Sequence, residues 1–160
     1  MTVPARADQP VDRAACAGSA VVSKGRVLYI DDSEVFLERV RTALGDAGYE
    51  VVATTQTVGA ARHLAGCDLV LVDYHMPGFD GASVLASLRA AVEKSEQKPS
   101  FYLYTSNKAI ASDYSILGFD GALQHKGDDR ALVPQVDAAM RMRKLRALSA
   151  ARSTGTKGRG

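Results

Sequence analysis

The chain has 160 residues, 46% hydrophobic and 24% charged, a composition that suits one globular domain with a buried core and leaves little room for a second. Its two cysteines, Cys16 and Cys67, have no ligand-like spacing, and no apolar run reaches the ~18–20 residues of a membrane span, so a disulfide scaffold, a zinc site and a spanning helix are all excluded as expectations. The formal charge of +2 hides an asymmetry: residues 141–160 hold Arg141, Arg143, Lys144, Arg146, Arg152, Lys157 and Arg159 and no acid, and removing those seven cations leaves −5 for the remainder.

Residues 1–24 mix Pro, Ala, Gly, Ser and charges without periodicity and read as a flexible leader; charges interrupt any signal-peptide core, which gives a cytoplasmic expectation. From Arg26 the chain alternates short apolar runs with amphipathic stretches, the pattern of a parallel sheet covered on both faces. The first run, Val27-Leu28-Tyr29-Ile30, stops at Asp31-Asp32, and Ser33 can cap a helix with Val35, Phe36, Val40 and Leu44 on its apolar stripe, ending near Gly48. Tyr49 to Thr55 is a second strand, and residues 57–66 make a small helix. Leu69-Val70-Leu71-Val72 is the third strand and runs into Asp73. Met76-Pro77-Gly78-Phe79-Asp80-Gly81 is a turn, followed by a helix lined by Val84, Leu85 and Leu88 and finishing around Ser95. Phe101 to Tyr104 is the fourth strand, closed by Thr105-Ser106, and Ile110, Tyr114 and Leu117 mark a helix up to Gly118. Gly121 to Lys126 supplies the fifth strand. A last helix starts within residues 129–134 and runs to about Ala150, with Pro134 tolerated in its first turn.

In an open parallel α/β sheet ligands gather at the carboxyl ends of strands, and Asp31, Asp32, Asp73, Thr105 and Lys126 all fall at such ends. Three carboxylates in one cleft repel one another unless a cation joins them, and a hard divalent ion, Mg²⁺ above all, meets that demand with oxygen ligands. A lysine and a hydroxyl beside it suit a phosphoryl group. Taken singly, Asp31-Asp32 could be only acids favouring a helix N-terminus, and Thr105-Ser106 only a cap. Their joint placement is what carries the metal-site reading.

The runs Tyr29-Ile30-Asp31-Asp32-Ser33, Leu71-Val72-Asp73-Tyr74-His75-Met76-Pro77-Gly78-Phe79-Asp80-Gly81, Tyr104-Thr105-Ser106 and His125-Lys126 resemble the response-regulator receiver domains of two-component signalling, the CheY-like family, over about 120 residues. The resemblance implies a flavodoxin-like, doubly wound α/β fold with a five-stranded parallel sheet in the order 2-1-3-4-5. It implies that Asp73 is the phosphoacceptor, that Mg²⁺ is held by Asp32 directly, by Asp31 through water, by Asp73 and by the backbone carbonyl of His75, and that Lys126 and Thr105 contact the phosphoryl group.

The implied function is a stand-alone phosphoacceptor switch. It is not an enzyme beyond catalysing its own phosphotransfer and dephosphorylation, is supplied by a histidine kinase or phosphotransfer protein, and acts on a downstream protein. The receiver body is expected over residues 25–150 and a flexible basic tail over 151–160; nucleic acid is not an expected partner, and dimerisation is left open. Two other readings compete. A basic-tailed nucleic-acid binder would use residues 141–160. A Mg²⁺-dependent phosphatase of the haloacid dehalogenase type would need a second aspartate where His75 stands. Two departures from the family pattern stand out: Gly127 follows Lys126 where proline is usual, and Leu123 occupies a position that is often aromatic.

Overall fold

A computed structural model describes residues 22–155, with side chains through Arg152. The elements run β1 (Arg26–Ile30), α1 (Glu34–Asp46), β2 (Glu50–Thr54), a 3₁₀ turn (Ala60–His63), β3 (Leu69–Val72), β4 (His75–Met76), β5 (Phe79–Asp80), α2 (Gly81–Ala91), β6 (Ser100–Tyr104), α3 (Lys108–Ser112), β7 (Gly121–Leu123) and α4 (Asp129–Gly155). Five strands form one parallel sheet in the order β2-β1-β3-β6-β7, while β4 and β5 make a separate antiparallel hairpin. With that hairpin set aside, this is the expected 2-1-3-4-5 order. The hairpin itself lies where the sequence suggested a plain turn.

Alternation along the strands sorts the core into two layers, because successive side chains point to opposite faces. Val27, Tyr29, Leu69 and Leu71 meet Leu37, Val40 and Leu44 of α1 and Leu132, Val136, Ala139 and Met140 of α4. Leu28, Ile30, Val70, Val72, Phe101 and Leu103 meet Val84, Leu85 and Leu88 of α2 on the other side. Each such aliphatic or aromatic side chain removed from water stabilises the fold by about 1.5–3 kcal/mol. β3 is buried at all four positions and lies at the sheet's centre, which is why its sequence is continuously apolar.

Several local expectations are corrected. Val35 is 68% exposed and Leu37 takes its place in the core, since a step of ~100° per residue aligns Leu37 with Val40 and Leu44 and turns Val35 away. The segment 57–66 forms only a 3₁₀ turn; Gly59 (φ 85°) and Gly66 (φ 75°), both left-handed, bracket too few residues for an α-helix. α2 ends at Ala91 rather than near Ser95. α3 stops at Ser112, and Tyr114 and Leu117 follow in turns, half-buried. Its cap is Asn107, whose Oδ1 accepts from the N–H groups of Ala109 and Ile110.

β7 ends at Leu123, three residues before Lys126, because the Gln135 side chain takes over the backbone of Gln124: Oε1 accepts from Gln124 N (2.8 Å) and Nε2 donates to Gln124 O (3.0 Å). Pro134 stands in the second turn of α4, beyond the first turn to which it was assigned. The carbonyl of Arg130 loses its helical partner there, and Arg130 is exposed, so solvent can satisfy it. α4 continues past Ala150 to Gly155.

At the amino end, residues 1–21 of the expected leader lie outside the described residues. Lys24, its last member, is anchored: its N–H donates to Gly48 O (2.9 Å) and its ammonium lies 5.6 Å from the centroid of the Tyr49 ring. Residues 156–160 of the expected tail also lie outside the described residues. Among the described residues no helix is long and apolar enough to cross a membrane.

Candidate functional site

Two central strands end in aspartates at the same edge of the sheet. Asp31 follows β1 and Asp73 follows β3; their N–H groups still donate to the neighbouring strands, Asp31 to Thr54 O and Asp73 to Ile30 O (3.0 Å), so both side chains are fixed by the ladder. Asp31 has no exposed surface, Asp73 is buried and Asp32 is exposed. One carboxylate oxygen from each of the three lies within 4.8 Å of the others.

Lys126 enters from the loop after β7. Its ammonium is 2.6 Å from Asp31 Oδ2 and 3.1 Å from Asp73 Oδ1, with the Phe36 ring centroid 4.5 Å away. The loop reaches this position through two left-handed residues, His125 (φ 59°) and Gly127 (φ 98°), and no peptide bond among the described residues is cis. Arg39 donates to the carbonyl of Gly127 and pairs with Asp129 at 3.3 Å, bracing the loop from outside.

Asp31 accepts from three donors. Oδ1 accepts from Ser33 N (2.9 Å), and Oδ2 accepts from the Tyr29 hydroxyl as well as from Lys126. Burial, reinforced by that bond to Asp31, pushes the Tyr29 phenol far above its ordinary range, so it stays a donor. The carboxyl of Asp73 is held above the usual carboxylate range chiefly by burial; the charge of Lys126 opposes this, and that of Asp31 adds to it. Three carboxylates facing one ammonium leave an excess of negative charge on hard oxygen donors, a set that could hold a divalent cation.

The remaining predicted residues fall around this centre. Thr105 follows β6 and is buried; its Oγ1 accepts from Asn107 N (3.1 Å), which leaves its hydroxyl hydrogen free to donate. His75 is exposed in the β4–β5 hairpin opposite Asp80, its ring edge-on to Tyr74 at 5.2 Å, and it lines one shallow depression with Asp32. Gly81, the first residue of α2, packs so close to this segment that a Cβ there would sit 3.0 Å from Tyr74 Cα and 3.2 Å from Asp73 O.

Asp31, Asp32, Asp73 and Lys126 are thus gathered in one cluster, with Thr105 at a neighbouring strand end. Two participants were not singled out from the sequence. Tyr29 was read as a strand residue and as the start of the Tyr29-to-Ser33 run, with no role of its own, although its spacing of two from Asp31 puts both on one face of the chain. Tyr104, whose hydroxyl accepts from Gly127 N at 3.3 Å, carries no local signal, because its partner is 23 residues away.

Comparison with known proteins shows the family. The sensor protein GacS of Pseudomonas syringae pv. syringae is 33% identical over 116 residues, covering 69% of this chain and 13% of that protein. The transcriptional regulatory protein AruR of Pseudomonas aeruginosa is 36% identical over 75 residues, covering 42% of this chain and 31% of AruR. The chain therefore spans less than a third of the length of these relatives. The structure of the chemotaxis response regulator CheY4 of Vibrio cholerae superposes with a TM-score of 0.59 at 21% identity, over 72% of this chain and 98% of that one, which is a likeness of fold. Residues 27–137 match the model of the response regulator receiver domain, and the chain belongs to that family.

Proposed function

We propose that this chain is a cytoplasmic receiver switch over residues 25–150 that accepts a phosphoryl group on Asp73 from the phosphohistidine of a histidine kinase or phosphotransfer protein. The observation that carries the reading is the sharing of one lysine by two buried aspartates: Lys126 bridges Asp31 and Asp73 beside the exposed Asp32. In the transfer, an oxygen of the Asp73 carboxylate attacks phosphorus, the bond from phosphorus to the imidazole nitrogen breaks, and the electron pair leaves with the imidazole. Lys126 turns its ammonium to a phosphoryl oxygen, and Thr105 donates its hydroxyl hydrogen to another.

Asp31, Asp32, Asp73 and the backbone carbonyl of His75 would hold Mg²⁺, which neutralises the charge spread over the transferring group. The reaction is a single self-catalysed modification and its reversal rather than turnover of a substrate. Output is then phosphorylation-dependent binding of a downstream protein.

Acetyl phosphate and Mg²⁺ supply the test. Mass spectrometry should find one added phosphoryl group on the parent chain and none on Asp73→Asn, and Asp32→Ala should weaken Mg²⁺ binding by calorimetry at least about tenfold. Full labelling of Asp73→Asn, or unchanged Mg²⁺ affinity in Asp32→Ala, would overturn the assignment.

A further inference from the structure

Two buried tyrosines stand behind the acidic cluster on the α1 and α4 side of the sheet. β1 and β6 flank β3, and Tyr29 on β1 and Tyr104 on β6 meet across it, ring centroids 5.8 Å apart at 61°. Their hydroxyls serve opposite sides of the site: Tyr29 donates to Asp31 Oδ2, and Tyr104 accepts from the N–H of Gly127, the residue next to Lys126. A proline after the lysine has no N–H to give, so the second bond requires a residue other than proline at position 127.

Resting on the phosphoacceptor reading of Asp73, we propose that Tyr29 and Tyr104 are positioning residues for phosphotransfer: Tyr29 shares the buried charge of Asp31 so that Lys126 can leave it for the phosphoryl group, and Tyr104 anchors the loop that aims Lys126.

The accounting of donors at Asp31 carries the first half. Oδ1 has Ser33 N, and Oδ2 has only Tyr29 and Lys126. When Lys126 swings to a phosphoryl oxygen, Oδ2 of a carboxylate with no solvent access loses one of its two donors. A phenol that stays behind keeps Oδ2 satisfied; without it, leaving Asp31 would strand a buried charged oxygen, and Lys126 would be held in place. The second half follows from the loop. Gly127 is pinned at its carbonyl by Arg39 from outside and at its N–H by Tyr104 from the core, so the residue next to Lys126 is held through the peptide groups on both its sides.

The test uses Tyr29→Phe and Tyr104→Phe in the full chain, which delete one oxygen each and keep the rings. At saturating Mg²⁺ the rate constant for labelling by acetyl phosphate should fall about fivefold or more in each, while the Mg²⁺ concentration for half-maximal rate moves less than about twofold and both variants remain folded by near-ultraviolet circular dichroism. A tyrosine that merely supports the fold would lower the labelled fraction only in proportion to unfolded protein. Unchanged rate constants beside a labelled parent overturn the positioning role alone; a parent that takes no label on Asp73 overturns it together with the phosphoacceptor reading. Should either variant fail to fold, proton NMR of the parent decides. Expected is a slowly exchanging Tyr29 hydroxyl resonance that persists after phosphorylation, and its absence or loss on phosphorylation sinks the proposal.

Discussion

The ammonium of Lys126 lies 2.6 Å from Oδ2 of Asp31, a carboxylate with no contact with solvent. It also reaches Asp73 at 3.1 Å, so one half-buried cation compensates two buried anions. Replacing it leaves both charges facing each other in a low-dielectric pocket. Lys126→Met is expected to destabilise the metal-free protein by about 3 kcal/mol in urea titrations at neutral pH with a chelator present, and added Mg²⁺ should recover part of that loss. A change below about 1 kcal/mol would mean that the two carboxylates do not depend on this lysine.

Asp73 behaves in the opposite sense. Its carboxyl is raised above the ordinary range, first by burial and then by the charge of Asp31, against the attraction of Lys126. A group whose folded-state value is raised favours folding in its protonated form, so its contribution is fully present below the unfolded value of about 3.9 and is lost as pH rises through the folded value. At neutral pH the ionised side chain therefore costs stability in the absence of metal. Asp73→Asn should be more stable than the parent at pH 7 by on the order of 1 kcal/mol, and the gap should close as pH falls toward the ordinary carboxylate range. Thermal melts across pH 4–8 measure both; a gap that widens on acidification would contradict the assigned cause.

The parts of this molecule legible in the sequence are those whose cause is local. Leu69 to Val72 is apolar throughout because the strand is covered on both faces, and that run marked β3 as buried with Asp73 at its end, while its central place in the order followed from the resemblance. Asp31 and Asp73 could be read as neighbours because parallel strands end at one edge. What escaped was set by partners distant in sequence. The end of β7 is decided by Gln135, the placement of the Gly127 turn by Arg39 and Tyr104, and the withdrawal of Arg143 from the cationic surface by Asp68. The Tyr29–Asp31 bond was within reach of a strict two-residue periodicity, but an apolar reading of β1 concealed it.

Cys67 gives a prediction independent of the acidic site. It is buried under the 3₁₀ turn side of the sheet, its Sγ donates to His63 O at 3.0 Å, and burial pushes the thiol up to about 11. At pH 8 only ~0.1% would be thiolate, and that fraction is shielded. In a Cys16→Ser background, iodoacetamide should modify the native chain at least about a hundredfold more slowly than the same chain in denaturant. Comparable rates would show that this layer opens readily.

The far end of α4 divides into a part that belongs to the domain and a part that does not. Arg143, unlike the exposed Arg141, Lys144 and Arg146, is half-buried, its Nη1 3.3 Å from Asp68 Oδ1, while Asp68 Oδ2 accepts from Arg26 N at 2.9 Å. That pair ties the helix to the start of β1 and so to the edge of the sheet opposite the acidic site. Leu145 and Leu148, by contrast, are 57% and 60% exposed and leave a narrow apolar strip beside the basic residues. With more than half of their surface left in solvent, they contribute little to folding. Truncation after Lys144 should leave stability within about 0.5 kcal/mol of the full chain and leave acetyl phosphate labelling of Asp73 unchanged. Truncation after Met140, which also removes Arg143, should cost about 1 kcal/mol more, because it leaves Asp68 half-buried without its cation. Urea titrations of the two truncated chains, paired with Arg143→Ala in the full chain, separate the contributions; equal losses in both truncations would place the structural boundary beyond Lys144 and make Leu145 and Leu148 part of the domain after all.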